Sequence, residues 1–148
     1  MNQGQFWWGG RRGPDGTRKL FQITHDYLVK TKGFDNIIWV WDIQDFGSLG
    51  SDVSDYNPGT DYYDIAALDV YDGGYDAWKY NAMKGIPGGK PIAIGECQVV
   101  PRSDELAAQL GWAFFMLWPD FLDDNAGALP GLYSAPNVIT RDQMPGWK

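Results

Sequence analysis

Two residue types that build most metal and redox sites are nearly missing from this 148-residue chain, which has one cysteine, Cys97, and one histidine, His25. A single cysteine excludes an internal disulfide and any cysteine-based metal cluster. The lone histidine has no HExxH partner and falls inside a helix-type stretch, so it reads as a surface or packing residue. Basic residues are also few: 12 Lys and Arg stand against 19 Asp and Glu, for a net charge of −7. They nowhere cluster, and this argues against nucleic acid or an anionic membrane as partner. No apolar run is long enough to cross a membrane as a helix. The opening Met1-Asn-Gln-Gly-Gln lacks the basic-then-apolar order of a secretion signal. Nor does a Gly-rich phosphate loop follow any strand-like run; Gly9, Gly10 and Gly13 precede a helix, but at the wrong spacing. No GxSxG elbow occurs, which removes the usual support for a serine triad. No cofactor or metal is expected.

What the chain has in quantity is apolar and aromatic side chains. Hydrophobic residues make up 44% of it and aromatics 16%, with eight Trp. That suffices for a sizeable core. Flat amphipathic rings in such number suit either an aromatic-rich core or a ligand with apolar faces and polar edges, such as a sugar. Strand-like and helix-like segments alternate along the whole length without a polar linker, as in β/α units around a parallel sheet. Residues 36–42, 66–72, 91–97 and 112–118 read as strands, being short, β-branched or aromatic runs that each end in a polar or aromatic cluster. Residues 17–32, 76–83 and 103–110 carry helix-type spacing, the last with Ser103 placed as an N-cap. The connection between the first two strands reads as a loop. Pro91 to Glu96 and Phe114 to Trp118 are continuous apolar runs, the mark of strands buried on both faces.

Chemistry-bearing residues gather at the C-terminal ends of these strands: Asp42, Asp69 with Tyr71, Glu96, and Trp118 with Asp120. Such a rim favours a barrel over an open nucleotide-binding sheet. Alternation places Ala67, Asp69 and Tyr71 on one face, where the Tyr71 phenol can donate to a carboxylate. The same alternation puts Ile92, Ile94 and Glu96 on one face and turns Cys97 toward the helix layer as a small buried hydrophobe. Glu96 ends a strongly apolar strand directly after Gly95, which allows close backbone approach, so its carboxylate sits on a rigid rim. Two uses fit such a residue: one of the two carboxyl groups that glycoside hydrolysis needs across the scissile bond, or a strand-end partner for Arg102 or Lys90.

Taken in order, Phe6-Trp7-Trp8-Gly9, Trp39-Val-Trp41, Asp69-Val-Tyr71-Asp72, Ile92-Ala-Ile-Gly95-Glu96 and Phe115-Met-Leu-Trp118 resemble the family 26 glycoside hydrolases, and the resemblance spans essentially the whole chain. It implies a (β/α)8 TIM barrel, of which residues 1–148 supply the C-terminal half of one catalytic domain, about strands 5 to 8, since such a barrel takes about 250 residues. It also implies a retaining endo-β-1,4-mannanase. Glu96 would be the nucleophile and Tyr71 would orient it, while Asp69 borders the pocket and Trp118 lies under the reacting sugar. Trp7 and Trp8 join them as substrate-binding residues. For Trp118 the plainer alternative is a barrel plug, and for Asp69 a turn cap. The family's acid/base glutamate belongs to a His-Glu pair just before Phe-Trp-Trp-Gly, which places it upstream of Met1 in the missing N-terminal half. The chain alone is therefore expected to be inactive. Gln5 departs from the family, which often has an aromatic there. The implied partner is β-mannan, and the implied setting of the full-length enzyme is secreted or periplasmic. A β-glucanase or β-xylanase on the same barrel is the runner-up, and a noncatalytic carbohydrate-binding protein the alternative of another class.

Overall fold

The computed structural model describes residues 1–71, 74–86 and 88–146. Four strands pair among these residues: β1 Val40–Gln44, β2 Ile65–Val70, β3 Ile92–Cys97 and β4 Trp112–Leu117. They lie side by side in the order β1-β2-β3-β4, and every pair is parallel. Parallel neighbours require a crossover. These are α2 Leu49–Asp55, α3 Ala77–Lys84 and α4 Ser103–Ala108, with α1 Thr17–Asp26 ahead of β1 and the short α5 Leu122–Asn125 and α6 Leu129–Tyr133 after β4.

The apolar core fills the space between the sheet and the helices on its outer face. Trp41 and Ile43 of β1, Leu68 and Val70 of β2, and Ile92, Ile94 and Cys97 of β3 share it with Leu49, Met83 and Ile86. Alternate residues take the opposite, inner face. There Asp42 is level with Ala67, and Ala67 with Ala93. Small side chains at that level leave room for the Asp42 carboxylate.

Four expectations need correction. Residues 17–32 form one helical stretch only in part, because α1 passes into a π-helical turn at Tyr27–Thr31. The connection after β1 contains α2, whose buried Asp52 accepts bonds from Asn2, Arg12 and Ser48. The N-cap of α4 is Arg102 instead of Ser103, and its backbone N–H donates to Glu105 Oε2 at 2.8 Å. The fourth concerns alternation in β3. Ile92 and Ile94 belong to the outer core, whereas Gly95 lies against Asp42 on the inner face. The register between β2 and β3 slips by one residue after Leu68, pairing Leu68 with Ile94 but Asp69 with Glu96. This bulge brings Glu96 to the inner face beside Gly95. Cys97 then returns to the helix layer, as expected. Asp72, the expected last residue of the second strand, lies outside the described residues.

Strands β1 and β4 end the order, so each pairs on one side only. Val40, Phe114 and Met116 are exposed alongside these edges. Uncovered parallel edges next to apolar side chains template association. The 148-residue chain by itself is therefore expected to sediment as a mixture of self-associated species; a monodisperse monomer with one cooperative calorimetric transition would contradict this.

Candidate active site

At the C-terminal ends of the strands the inner face opens into a cavity of about 620 Å³, within the usual range of ligand pockets. Its lining includes Asp42, Gln44, Asp69, Tyr71, Glu96 and Trp118, together with Phe6 and Trp8. Each strand delivers its contribution for the same reason. An apolar run buries the strand, and the first polar side chain after it emerges at the rim.

Glu96 is half-buried, and the Tyr71 hydroxyl donates to its Oε2 at 2.9 Å. Burial, followed by the bond to the Glu96 carboxylate, pushes the Tyr71 phenol up, so it stays a donor. Of the two basic residues weighed as partners, Arg102 instead pairs with Asp104 and Glu105.

Asp42 and Asp69 form a second carboxyl group pair in the cavity floor. Desolvation is the largest cause of their shifts, raising Asp42 to about 6 and Asp69 to about 10. The two carboxyl groups also act on each other, so the pair, taken as one unit, holds a proton well above the usual carboxylate range. Their Oδ1 atoms are buried with no hydrogen-bond partner among the described residues. The Met1 nitrogen donates to the Asp42 carbonyl at 2.7 Å.

A Cβ on Gly95 would stand 2.1 Å from Asp42 Oδ2 and 2.7 Å from its Cγ. Real Cβ atoms do not approach so closely, which explains the glycine before Glu96. Gly95→Ala is expected to cost about 1–3 kcal/mol, as overpacking does. Denaturant melts of a complete barrel would show this, with part of the loss recovered in Gly95→Ala/Asp42→Ala.

Asp69 gives a pH-dependent expectation. Its raised value means that the folded state keeps a proton which the unfolded chain releases above about pH 4. Folding therefore becomes costlier as pH climbs from there towards about 10. Asp69→Asn replaces the neutral carboxyl with a neutral amide, so it should raise the Tm at pH 8 by more than at pH 4. Equal shifts at both values would contradict the assignment of the proton.

The aromatic rim is held from below. Asn2 Nδ2 donates to the Gln44 carbonyl at 2.8 Å and to Asp52 Oδ2 at 2.7 Å, while Asn2 Oδ1 accepts the Gln44 N–H at 2.7 Å. With Gln3 Nε2 donating to Gln44 Oε1 at 2.6 Å, this ties residues 1–10 to the end of β1. Phe6 and Trp8 stack with centroids 4.7 Å apart and planes 11° from parallel. Trp118 stands at the far side, 38% exposed, its indole N–H donating to Asp120 at 3.2 Å. Trp7 stays outside this lining at 79% exposure, edge-on to Trp8.

The structure thus brings together Glu96, Tyr71, Asp69, Trp8 and Trp118 of the residues singled out from sequence, and leaves Trp7 apart. Asp42, one of the strand-end residues noted from sequence, lines the cavity as well and lies against Gly95. Gln44, on the same face two residues on, carried the alternation signal that would have found it. His25 packs on Trp39 at 4.9 Å and Tyr62 at 5.2 Å, the second of the two roles expected of it, surface or packing.

A parallel β/α arc thus carries a tyrosine-bound glutamate beside an aromatic rim. Residues 1–143 match the profile of glycosyl hydrolase family 26, and the chain belongs to that family. A mannan endo-1,4-beta-mannosidase of Thermothelomyces thermophilus is 34% identical over 98% of this chain and 30% of its own length. Among solved structures, GH26A from Muricauda sp. superposes with a TM-score of 0.86 at 36% identity, covering 94% of this chain and 47% of that one. The Podospora anserina GH26-CBM35 beta-(1,4)-mannanase gives 0.79 at 31% identity, covering 96% and 32%. The chain spans less than half the length of each of these proteins. Its four parallel strands are part of a TIM barrel.

Proposed function

We propose that this chain is the nucleophile-bearing part of one catalytic barrel, a retaining endo-β-1,4-mannanase acting on mannan or galactomannan. The observation that carries the reading is the Tyr71 hydroxyl 2.9 Å from Glu96 Oε2, at neighbouring strand ends in an aromatic-rimmed cavity. Membership of a family whose relatives include mannan endo-1,4-beta-mannosidases supports the choice of polymer.

In the reaction, one Glu96 oxygen attacks the anomeric carbon while a second carboxylic acid protonates the departing glycosidic oxygen. Water then hydrolyses the glycosyl-enzyme, and the second group now serves as base. Tyr71 keeps Oε2 engaged, which fixes the rotamer and leaves Oε1 for attack. Trp118 and the Phe6–Trp8 stack offer apolar faces for sugar rings. The acid/base belongs to a His-Glu pair in the N-terminal half of the barrel, which is also the cover for the open edges of β1 and β4. The setting of such an enzyme is secreted or periplasmic.

The test is hydrolysis of mannan, cellulose and xylan by the complete barrel and by Glu96→Ala. Mannan-selective release lost on substitution is expected. Activity that survives in Glu96→Ala, or that favours cellulose or xylan, would refute the reading. Tyr71→Phe is expected to lower kcat about 10- to 100-fold with KM little changed, because the phenol steadies the nucleophile more than the bound sugar; a change in KM alone would assign Tyr71 to substrate binding instead.

A further inference from the structure

Tyr71 lies one residue past the end of β2, so the regular ladder does not fix its backbone. Its phenol nevertheless meets Glu96 Oε2 at 2.9 Å. The fixing comes from Asp45, one residue past the end of β1. The Asp45 backbone N–H donates to the Asp69 carbonyl at 3.0 Å, and its Oδ1 accepts the Tyr71 N–H at 3.1 Å. Its Oδ2 accepts Lys79 Nζ, from α3, at 2.6 Å, and Lys79 Nζ also donates to the Gly74 carbonyl at 2.9 Å. Three points of the segment from Asp69 to Gly74 are thus gripped from both sides of Tyr71. Both charged side chains are buried, at 3% exposure for Lys79 and 0% for Asp45.

A buried ion pair is poor support for stability, because apolar residues of similar volume often serve as well or better. Its value here is geometric. A carboxylate offers acceptors in two directions and an ammonium offers several donors, so one pair can hold backbone groups that no ladder reaches.

We propose that Asp45 and Lys79 are positioning residues for the hydrolytic reaction, acting through Tyr71 on the nucleophile. This rests on the reading of Glu96 given above. The test uses a polypeptide carrying the complete barrel and an aryl β-mannoside with a good leaving group, so that nucleophilic attack dominates the rate. Each single replacement removes one half of a buried ion pair, so the pair is removed together as Asp45→Ala/Lys79→Met. Its kcat should fall about 10- to 100-fold with KM within about twofold. In a Tyr71→Phe background the same removal should change kcat by less than about threefold, because coupled residues are not additive. A merely structural pair would give effects that multiply.

The conservative Asp45→Asn/Lys79→Gln retains an acceptor for the Tyr71 N–H and a donor for Gly74. It should keep kcat within about fivefold, and it carries the test if the Ala/Met variant does not fold. Multiplying effects, or an Asn/Gln variant as slow as Tyr71→Phe, would overturn the proposal while Glu96→Ala remained inactive. Full activity in Glu96→Ala would instead overturn the reading beneath it.

Discussion

Replacing Glu96 by alanine in a complete barrel is expected to lower kcat on mannan by a factor on the order of 10⁴ or more. Truncation at this position leaves no atom to form the covalent bond, and loss of a nucleophile typically removes most of the acceleration of the group that works with it. Fold should survive, because Glu96 is half-buried and belongs to neither apolar cluster. A small anion such as azide can occupy the space vacated by the carboxylate and attack the same face of the sugar. With an activated aryl β-mannoside, Glu96→Ala should then regain activity with azide and yield an α-mannosyl azide, whose inverted configuration marks direct displacement. Product of retained configuration, or rescue absent while circular dichroism shows an intact fold, would mean that another residue is the nucleophile.

The site's destination was legible in the sequence because the signals were local. An apolar run ending in Gly95-Glu96 marks a buried strand and its rim, and Asp69 and Tyr71 two residues apart share a face by alternation alone. The parallel arc followed from strand and helix runs in turn. What alternation misjudged was the route to Glu96. The β2–β3 bulge places Gly95 and Glu96 together on the inner face, where the Asp42 carboxylate packs over Gly95 from a strand more than fifty residues earlier. Long-range contacts of this kind leave no local trace. The ion pair of Asp45 with Lys79 spans 34 residues and Asn2 with Asp52 spans 50. Helix α2 went unseen for a related reason. Gly50, Ser51 and Ser54 are weak helix formers, and the buried contacts of Asp52 hold the turn that propensity does not favour.

The 148-residue chain alone is expected to release no mannooligosaccharides from mannan. The described carboxyl groups lining the cavity are Glu96, Asp42 and Asp69. If Glu96 attacks, the acid must come from the other two or from elsewhere in a longer polypeptide. Asp69 carries a proton at neutral pH, which on its own would qualify it. Its side chain, though, is only 5% exposed in the cavity floor, where it is coupled to Asp42. Asp42 is raised by burial as well and shares the floor with Asp69, so the two titrate as a pair. Neither is poised to protonate a glycosidic oxygen held above Glu96. General acid assistance contributes about 10² to 10⁴ in rate, and a natural mannan has a poor leaving group that depends on it. Activity should therefore appear only in a longer polypeptide that supplies the proposed His-Glu pair, and vanish again in Glu96→Ala. If the chain alone released mannooligosaccharides at a rate abolished by Asp69→Asn, the floor pair would be the acid, and an upstream glutamate would no longer be needed.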